Sequence, residues 1–328
     1  MKIQSFIDNK LKINTKNKFA LILGLTPSKG ARSPKLWNKV YKNERNTTRM
    51  FPADVRKKNL KNLISALKKD LGFKGGSVTA PYKVDAMKYL NSIDGVSKKI
   101  GSINTIIKID GKLKGVNTDY YGALNSFKKF KNKKKILILG CGGAGKAVIL
   151  AALENFKKSE IFLFNRSKLK LKKFMSKFSK AFNFKIHKDL RAVYFENGYD
   201  LIINTTSIGF DSWTMKNNLY FNFKYFSPLT NLNKVQGTKS KNINEFISKN
   251  ITILKEDKKN LKNFFNINNK AQVLDIIYNP KKTNLIKFAK KNSINGLQMN
   301  LDQAVKAYQI VNGNMKFNQI KKIMEKNG

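Results

Sequence analysis

Gly140, Gly142 and Gly145 stand in "ILILGCGGAGKAV" as G-x-G-x-x-G, with Gly143 and Ala144 between the last two. The apolar run before them reads as a buried strand, and the run after them as a helix. In that setting glycine lets the backbone turn sharply and approach a pyrophosphate. The free N–H groups at the helix start can then bind it. The strand before and the helix after favour cofactor binding over a mere tight turn. The following strand ends in "FLFNRSK", where a site for NAD usually carries an acidic residue for the ribose hydroxyls. This chain has Asn165, Arg166 and Ser167. An arginine there offers a 2′-phosphate a planar, charge-assisted contact, which favours NADP(H) over NAD(H); a solvated surface arginine is the competing reading. Arginine occurs elsewhere only at positions 32, 45, 49, 56 and 191, which sharpens the point.

A second stretch, "GGSVTAPYKVDAM" (Gly75–Met87), runs from a strand towards a helix and carries Lys83 just after a proline. Lys83 could be one more surface lysine. The proline and small residues before it argue for a cleft, where partial burial would let a lysine exchange a proton with substrate.

The bulk composition narrows the classes. At 328 residues, 41% of them hydrophobic, the chain can bury about two cores. One cysteine, Cys141, excludes an internal disulfide and a multi-cysteine zinc site. One histidine, His187, argues against a histidine pair or polyhistidine metal cage, so no metal is expected. No apolar run is long enough to cross a bilayer, and "MKIQSFIDNKLKINTK" makes a poor signal peptide. A cytoplasmic protein without a membrane partner is the expectation. The net charge of +46 raises a nucleic-acid or anionic-surface reading. The lysines are scattered among abundant Asn, Ile and Phe, as in a genome rich in A and T, and few aromatics interleave with them. The charge therefore reads as compositional drift, against nucleic-acid binding.

The elements that must position these residues alternate in type. "KFALILGL" reads as a strand, "VRKKNLKNLISALKKDLGF" as an amphipathic helix and "GGSVTAP" as a strand. "TIIKIDGKLKGVNTD" is a hairpin with Asp-Gly at its turn. After a short helix, the basic stretch Lys128–Lys135 reads as a linker. From Ile136, strands and helices alternate regularly, implying a parallel, doubly wound sheet. The polar tract at about 210–269 is too long for an ordinary loop and reads as an insertion with some structure of its own. "QVLDIIYNP" reads as a further strand, and "TNLIKFAKKN" and "LDQAVKAYQIV" as helices.

"SPKLWN", "SVTAPYK", "IGSINT" with "GVNTD", and "GLQMNLDQA" resemble, in order and spacing, signature segments of the shikimate dehydrogenase family. "DLIINTTSIGF" and "DIIYNPKKTNLIKFA" resemble its cofactor-domain segments. The resemblance spans nearly the whole chain except the first fifteen or so residues and the insertion. It implies two α/β domains with a cleft between them. Residues 1–118 plus 284–328 would form the substrate domain, and 119–283 a Rossmann-like NADP domain. It also implies NADP-dependent interconversion of 3-dehydroshikimate and shikimate, by a monomer or homodimer.

By the same resemblance Lys83 and Asp119 form the catalytic pair; Asp119 could equally cap the helix it opens. Ser33, Thr79, Asn104, Thr118, Tyr278 and Gln303 are carried over as substrate contacts, and Thr206 as a cofactor contact. Gly296 and Met299 would lie near the nicotinamide. Two departures stand out. "GARSP" puts Ala31 where the family has the first of two serines, and Ser77 replaces an asparagine. Trp37 stands where a histidine is common. Arg32 could grip the substrate carboxylate as a fork in compensation. Alternatively the substrate is a relative of shikimate, such as quinate or an amino analogue.

Overall fold

Phe19–Gly24 (β1) is apolar along its first five residues because both faces of its sheet are covered. The computed structural model describes residues 3–14, 16–289, 291, 293–313 and 315–326. The chain divides into two compact units, 1–125 with 299–328, and 126–298.

In the first unit, β1 is followed by α1 (Ser33–Asn43), β2 (Arg49–Asp54), α2 (Leu60–Lys69), β3 (Phe73–Val78), β4 (Ser92–Ile93) and α3 (Gly95–Ile100). Then come β5 (Thr105–Ile109), β6 (Lys112–Val116) and α4 (Asp119–Phe127). The sheet order is β2-β1-β3-β5-β6-β4, and β5 alone runs antiparallel to its neighbours. Side chains on β1 alternate in destination. Phe19, Leu21 and Leu23 join a core with Leu60, Leu63, Ile64 and Leu67 of α2. Ala20 and Ile22 join a second core with Leu36, Trp37, Val40 and Tyr41 of α1. The Asp-Gly turn between β5 and β6 places both Asp110 (φ 47°) and Gly111 (φ 72°) in the left-handed region, as a type I′ hairpin requires.

The second unit holds β7 (Lys135–Leu139), α5 (Gly143–Asn155), β8 (Glu160–Phe164), α6 (Lys168–Met175), β9 (Lys185–Ile186), α7 (Leu190–Phe195) and β10 (Leu201–Asn204). A hairpin, β11 (Trp213–Lys216) and β12 (Leu219–Asn222), precedes α8 (Ile243–Lys249) and α9 (Ile251–Ile267). β13 (Gln272–Asp275), α10 (Asn284–Phe288) and β14 (Ile294–Asn295) follow. The sheet order β14-β13-β10-β7-β8-β9 is parallel throughout. Counted from β9 in chain order this is 3-2-1-4-5-6, the dinucleotide-binding order, with its reversal point between β7 and β10. The expected α/β class with a doubly wound parallel sheet is what the chain adopts.

The tract at 210–269 is of two kinds. Its beginning has a small core of its own, in which Phe226, Val235, Phe246 and Leu254 pack with Ile208. Its end belongs to the main fold. Leu261, Phe264 and Phe265 of α9 pack with Leu137, Leu139, Ile202 and Val273 of the sheet. The last turns of α9 thus form the crossover from β10 to β13.

The last elements, α11 (Leu297–Asn312) and α12 (Phe317–Glu325), bring Leu301, Val305, Tyr308, Ile320 and Met324 into the second core of the first unit. Among the described residues, no helix is long and apolar enough to cross a membrane.

Candidate active site

The strand directions of the first sheet bring the ends of β1, β3 and β6, and the start of β5, to one edge. That edge carries the connection leading to Ser33, the turn 79–83, Asn104 and the segment 117–119. Backbone bonds fix it: Val78 donates to the Asn104 carbonyl at 2.7 Å, and Ile103 to that of Lys83 at 2.8 Å.

Lys83 Nζ donates to Asp119 Oδ2 at 2.5 Å, with the lysine side chain 20% and the aspartate 9% exposed. Asn104 Nδ2 donates to Asp119 Oδ1 at 2.9 Å and to Gln303 Oε1 at 3.1 Å. The carboxylate is therefore held through both oxygens. Asn104 Oδ1 in turn accepts from the Thr118 amide at 2.7 Å and from the hydroxyls of Thr118 and Thr105. The Thr118 hydroxyl also lies 3.3 Å from Gln303 Oε1. Buried polar groups satisfied in this closed manner hold one geometry. Asp119 begins α4 as well, and its amide donates to Asn117 Oδ1 at 3.1 Å.

Gln303 Nε2 donates to the Asn300 carbonyl, and Arg32 Nη1 to Asn300 Oδ1 at 2.8 Å, so the arginine joins the network through Asn300. Ser33 and Ser77 are buried and Thr79 half-buried on the same edge. Thr79 donates its amide to the Leu23 carbonyl at 2.8 Å. Ala31 packs against the apolar core of α1 and α11 rather than extending the polar set. Trp37 is fully buried there, its ring edge-on to Tyr308 at 5.3 Å.

In the second unit, the glycine loop follows β7 at the reversal point of the sheet. Gly140 takes φ 103°, and a Cβ on it would stand 2.7 Å from Thr205 Oγ1 and 2.8 Å from Thr206 Cγ2. A Cβ on Gly145 would stand 2.6 Å from Thr205 Oγ1. These two glycines are needed because threonines after β10 pack onto the loop. Gly142, the N-cap of α5, faces open space, where a pyrophosphate can reach the backbone. Gly143 and Ala144 open the helix beside it. Asn165 Oδ1 accepts from the Cys141 amide at 3.1 Å, tying the loop to the end of β8. Burial pushes the Cys141 thiol up to about 11, which leaves it a packing group rather than a nucleophile. Arg166 is exposed, and Ser167 caps α6 by accepting from the Lys170 amide. The site fits a dinucleotide with a 2′-phosphate on these grounds: open backbone at Gly142, an accessible guanidinium at 166 and a hydroxyl, not a carboxylate, at 167.

Tyr278 is half-buried, edge-on to Phe210 at 6.0 Å. Gly296 lies so close to Ile276 that a Cβ would stand 1.8 Å from its carbonyl oxygen. Met299 is buried in α11, its carbonyl over Gly122.

The family model for the shikimate dehydrogenase substrate binding domain matches residues 25–106. A relative from Methanosphaera stadtmanae named shikimate dehydrogenase (NADP(+)) is 32% identical over 88% of this chain and 89% of its own. Another of that name, from Clostridium beijerinckii, is 34% identical over 85% and 86%. The chain belongs to the shikimate dehydrogenase family. Among solved structures of that family, one in complex with NADP+ is 28% identical with TM-score 0.68, covering 95% of this chain and 96% of that one. The Aquifex aeolicus structure is 26% identical with TM-score 0.69, covering 95% and 99%.

The family segments do not by themselves single out Asn300, which accepts from both Arg32 and Gln303, nor Asn117, whose oxygen accepts from the Asp119 amide while its nitrogen donates to the Ser102 carbonyl. Asn117 and Asn300 do lie within "GVNTD" and "GLQMNLDQA", so their positions, though not their contacts, were open to a reading of the sequence.

Proposed function

We propose that the chain is an NADP-dependent oxidoreductase interconverting 3-dehydroshikimate and shikimate, with Lys83 and Asp119 as the catalytic pair. The observation that supports this most is the 2.5 Å contact between Lys83 and an aspartate whose other oxygen is held by Asn104. In the direction of oxidation, the Lys83 amine takes the hydroxyl proton of the substrate. The C–H pair of that carbon leaves as hydride, and the carbonyl forms. NADP+, when bound, supplies the hydride acceptor. In reduction the Lys83 ammonium returns the proton to the new oxygen. Asp119 keeps the amine in place and offsets its charge while the proton moves.

Ser33, Ser77, Thr79, Asn104, Thr118, Tyr278 and Gln303 are the hydroxyl, phenol and amide donors and acceptors for a polyhydroxylated cyclic acid, with Arg32 for its carboxylate. Gly140, Gly142, Gly143, Ala144, Gly145, Asn165, Arg166, Ser167 and Thr206 would hold the dinucleotide, and Gly296 and Met299 the nicotinamide end. The unit of residues 1–125 with 299–328 serves the substrate and the unit of 126–298 the cofactor. The protein works in the cytoplasm as a monomer or homodimer and takes no nucleic-acid partner.

The test is NADPH absorbance with purified protein and 3-dehydroshikimate. No substrate-dependent change in well-folded protein would overturn the reading. A second reading, a substrate related to shikimate, draws on one observation: Ala31 packs into the apolar core where the family has a serine. Comparing kcat/KM for shikimate, quinate and aminoshikimate separates the two.

A further inference from the structure

Asp275 closes β13 with no exposed surface, and the mechanism above does not use it. Its Oδ1 accepts from Asn204 Nδ2 at 2.9 Å and from the Ile277 amide at 3.0 Å, and its Oδ2 accepts from the Thr283 hydroxyl at 2.6 Å. The Oδ1 acceptor here imposes an orientation. Asn204 has one amide nitrogen and one oxygen, and an acceptor at 275 draws the nitrogen towards itself. The Asn204 oxygen is then turned to the other side. There it accepts from the Thr206 amide at 2.9 Å and from the Thr206 hydroxyl at 2.8 Å. Thr206 is the residue whose methyl and amide stand where a side chain on Gly140 would be. The same oxygen anchors the segment after β13. The Ile277 carbonyl there accepts from the Gly296 amide at 2.9 Å.

We propose that Asp275 is a positioning residue for the cofactor site: through the amide of Asn204 it sets Thr206 against the glycine loop, and through Ile277 it seats Gly296. This role rests on the NADP reading given above. It is a relay within one unit: polar contacts run from β13 through Asn204 of β10 to Thr206, and Thr206 packs onto the loop after β7. Thr283 touches only the far oxygen and caps α10, so its contact can be removed without turning Asn204.

The experiment uses the full chain, with NADPH binding followed by fluorescence and with KM measured for both substrates. Asp275→Ala should weaken NADPH binding about tenfold, the scale of a buried hydrogen-bond partner left unpaired, and leave KM for shikimate within about twofold. Asp275→Asn, whose oxygen can still face Asn204 and Ile277, should restore NADPH affinity to within about threefold of the parent. Thr283→Val should lower Tm yet keep NADPH affinity. Should Asp275→Ala fail to fold, Asn204→Ala removes the relay and must show the same selective loss. NADPH affinity unchanged in the folded variant, or equal loss for both ligands, would overturn the role. A parent protein that does not bind NADPH at all would overturn the functional reading itself, which distinguishes the two failures.

Discussion

Asn104 holds Asp119 by the oxygen that Lys83 does not use, at 2.9 Å against 2.5 Å on the other side. With its far oxygen held by Asn104, the carboxylate keeps its orientation towards Lys83. In the proposed mechanism this keeps the amine aimed at the substrate hydroxyl. Replacing Lys83 by alanine should lower kcat by roughly 10²–10⁴ and leave NADPH affinity as it was. Steady-state turnover and NADPH fluorescence, taken together, check this. Wild-type turnover in the variant would move proton transfer to another group.

Arg166 is expected to set the choice of dinucleotide. Arg166→Ala should raise KM for NADPH about tenfold or more, since a charge-assisted contact to the 2′-phosphate is lost. KM for NADH should barely change. The ratio of the two, measured side by side, is the readout.

The packing of β3 on β1 makes a stability prediction independent of function. A Cβ on Gly76 would stand 1.8 Å from the Leu21 carbonyl oxygen, which belongs to the backbone of a central strand and cannot move aside. Gly76→Ala should cost at least about 3 kcal/mol, seen as a lower urea midpoint. A variant as stable as the parent would mean the strands sit further apart.

Asp275 also predicts a pH dependence of stability. Burial raises its carboxyl to about 7, against hydrogen bonds from Thr283, Ile277 and Asn204 that lower it. The folded chain keeps this proton up to about pH 7, whereas an unfolded aspartate releases it near pH 4. Its contribution is thus complete below about pH 4 and falls as pH rises to about 7. Asp275→Asn should lack that slope. Unfolding midpoints of both proteins at pH 5 and pH 8 test it, and equal differences at the two values would refute it.

Much of this was legible in the residues, for stated physical reasons. Asp110 and Gly111 announced their hairpin because those types tolerate the left-handed region. The glycine loop was readable because strand and helix flank it. The strand β2 was not, since Pro52 interrupts "RMFPAD"; it is tolerated there because β2 is an edge strand. Nor was the crossover role of α9 readable. Leu261, Phe264 and Phe265 carry it, but lysines and asparagines surround them, and only the sheet they cover distinguishes that turn from the polar tract before it. Contacts such as Arg32 to Asn300 join residues far apart along the chain, beyond the reach of local pattern.

The second core of the first unit draws Leu301, Val305, Tyr308, Ile320 and Met324 from the far end of the chain. A ribosome that has reached residue 298 has released every strand of that sheet, yet Trp37 and Ile22 still lack their cover. This lobe must stay unfinished, with a greasy flank bare to chaperones, throughout synthesis of its neighbour.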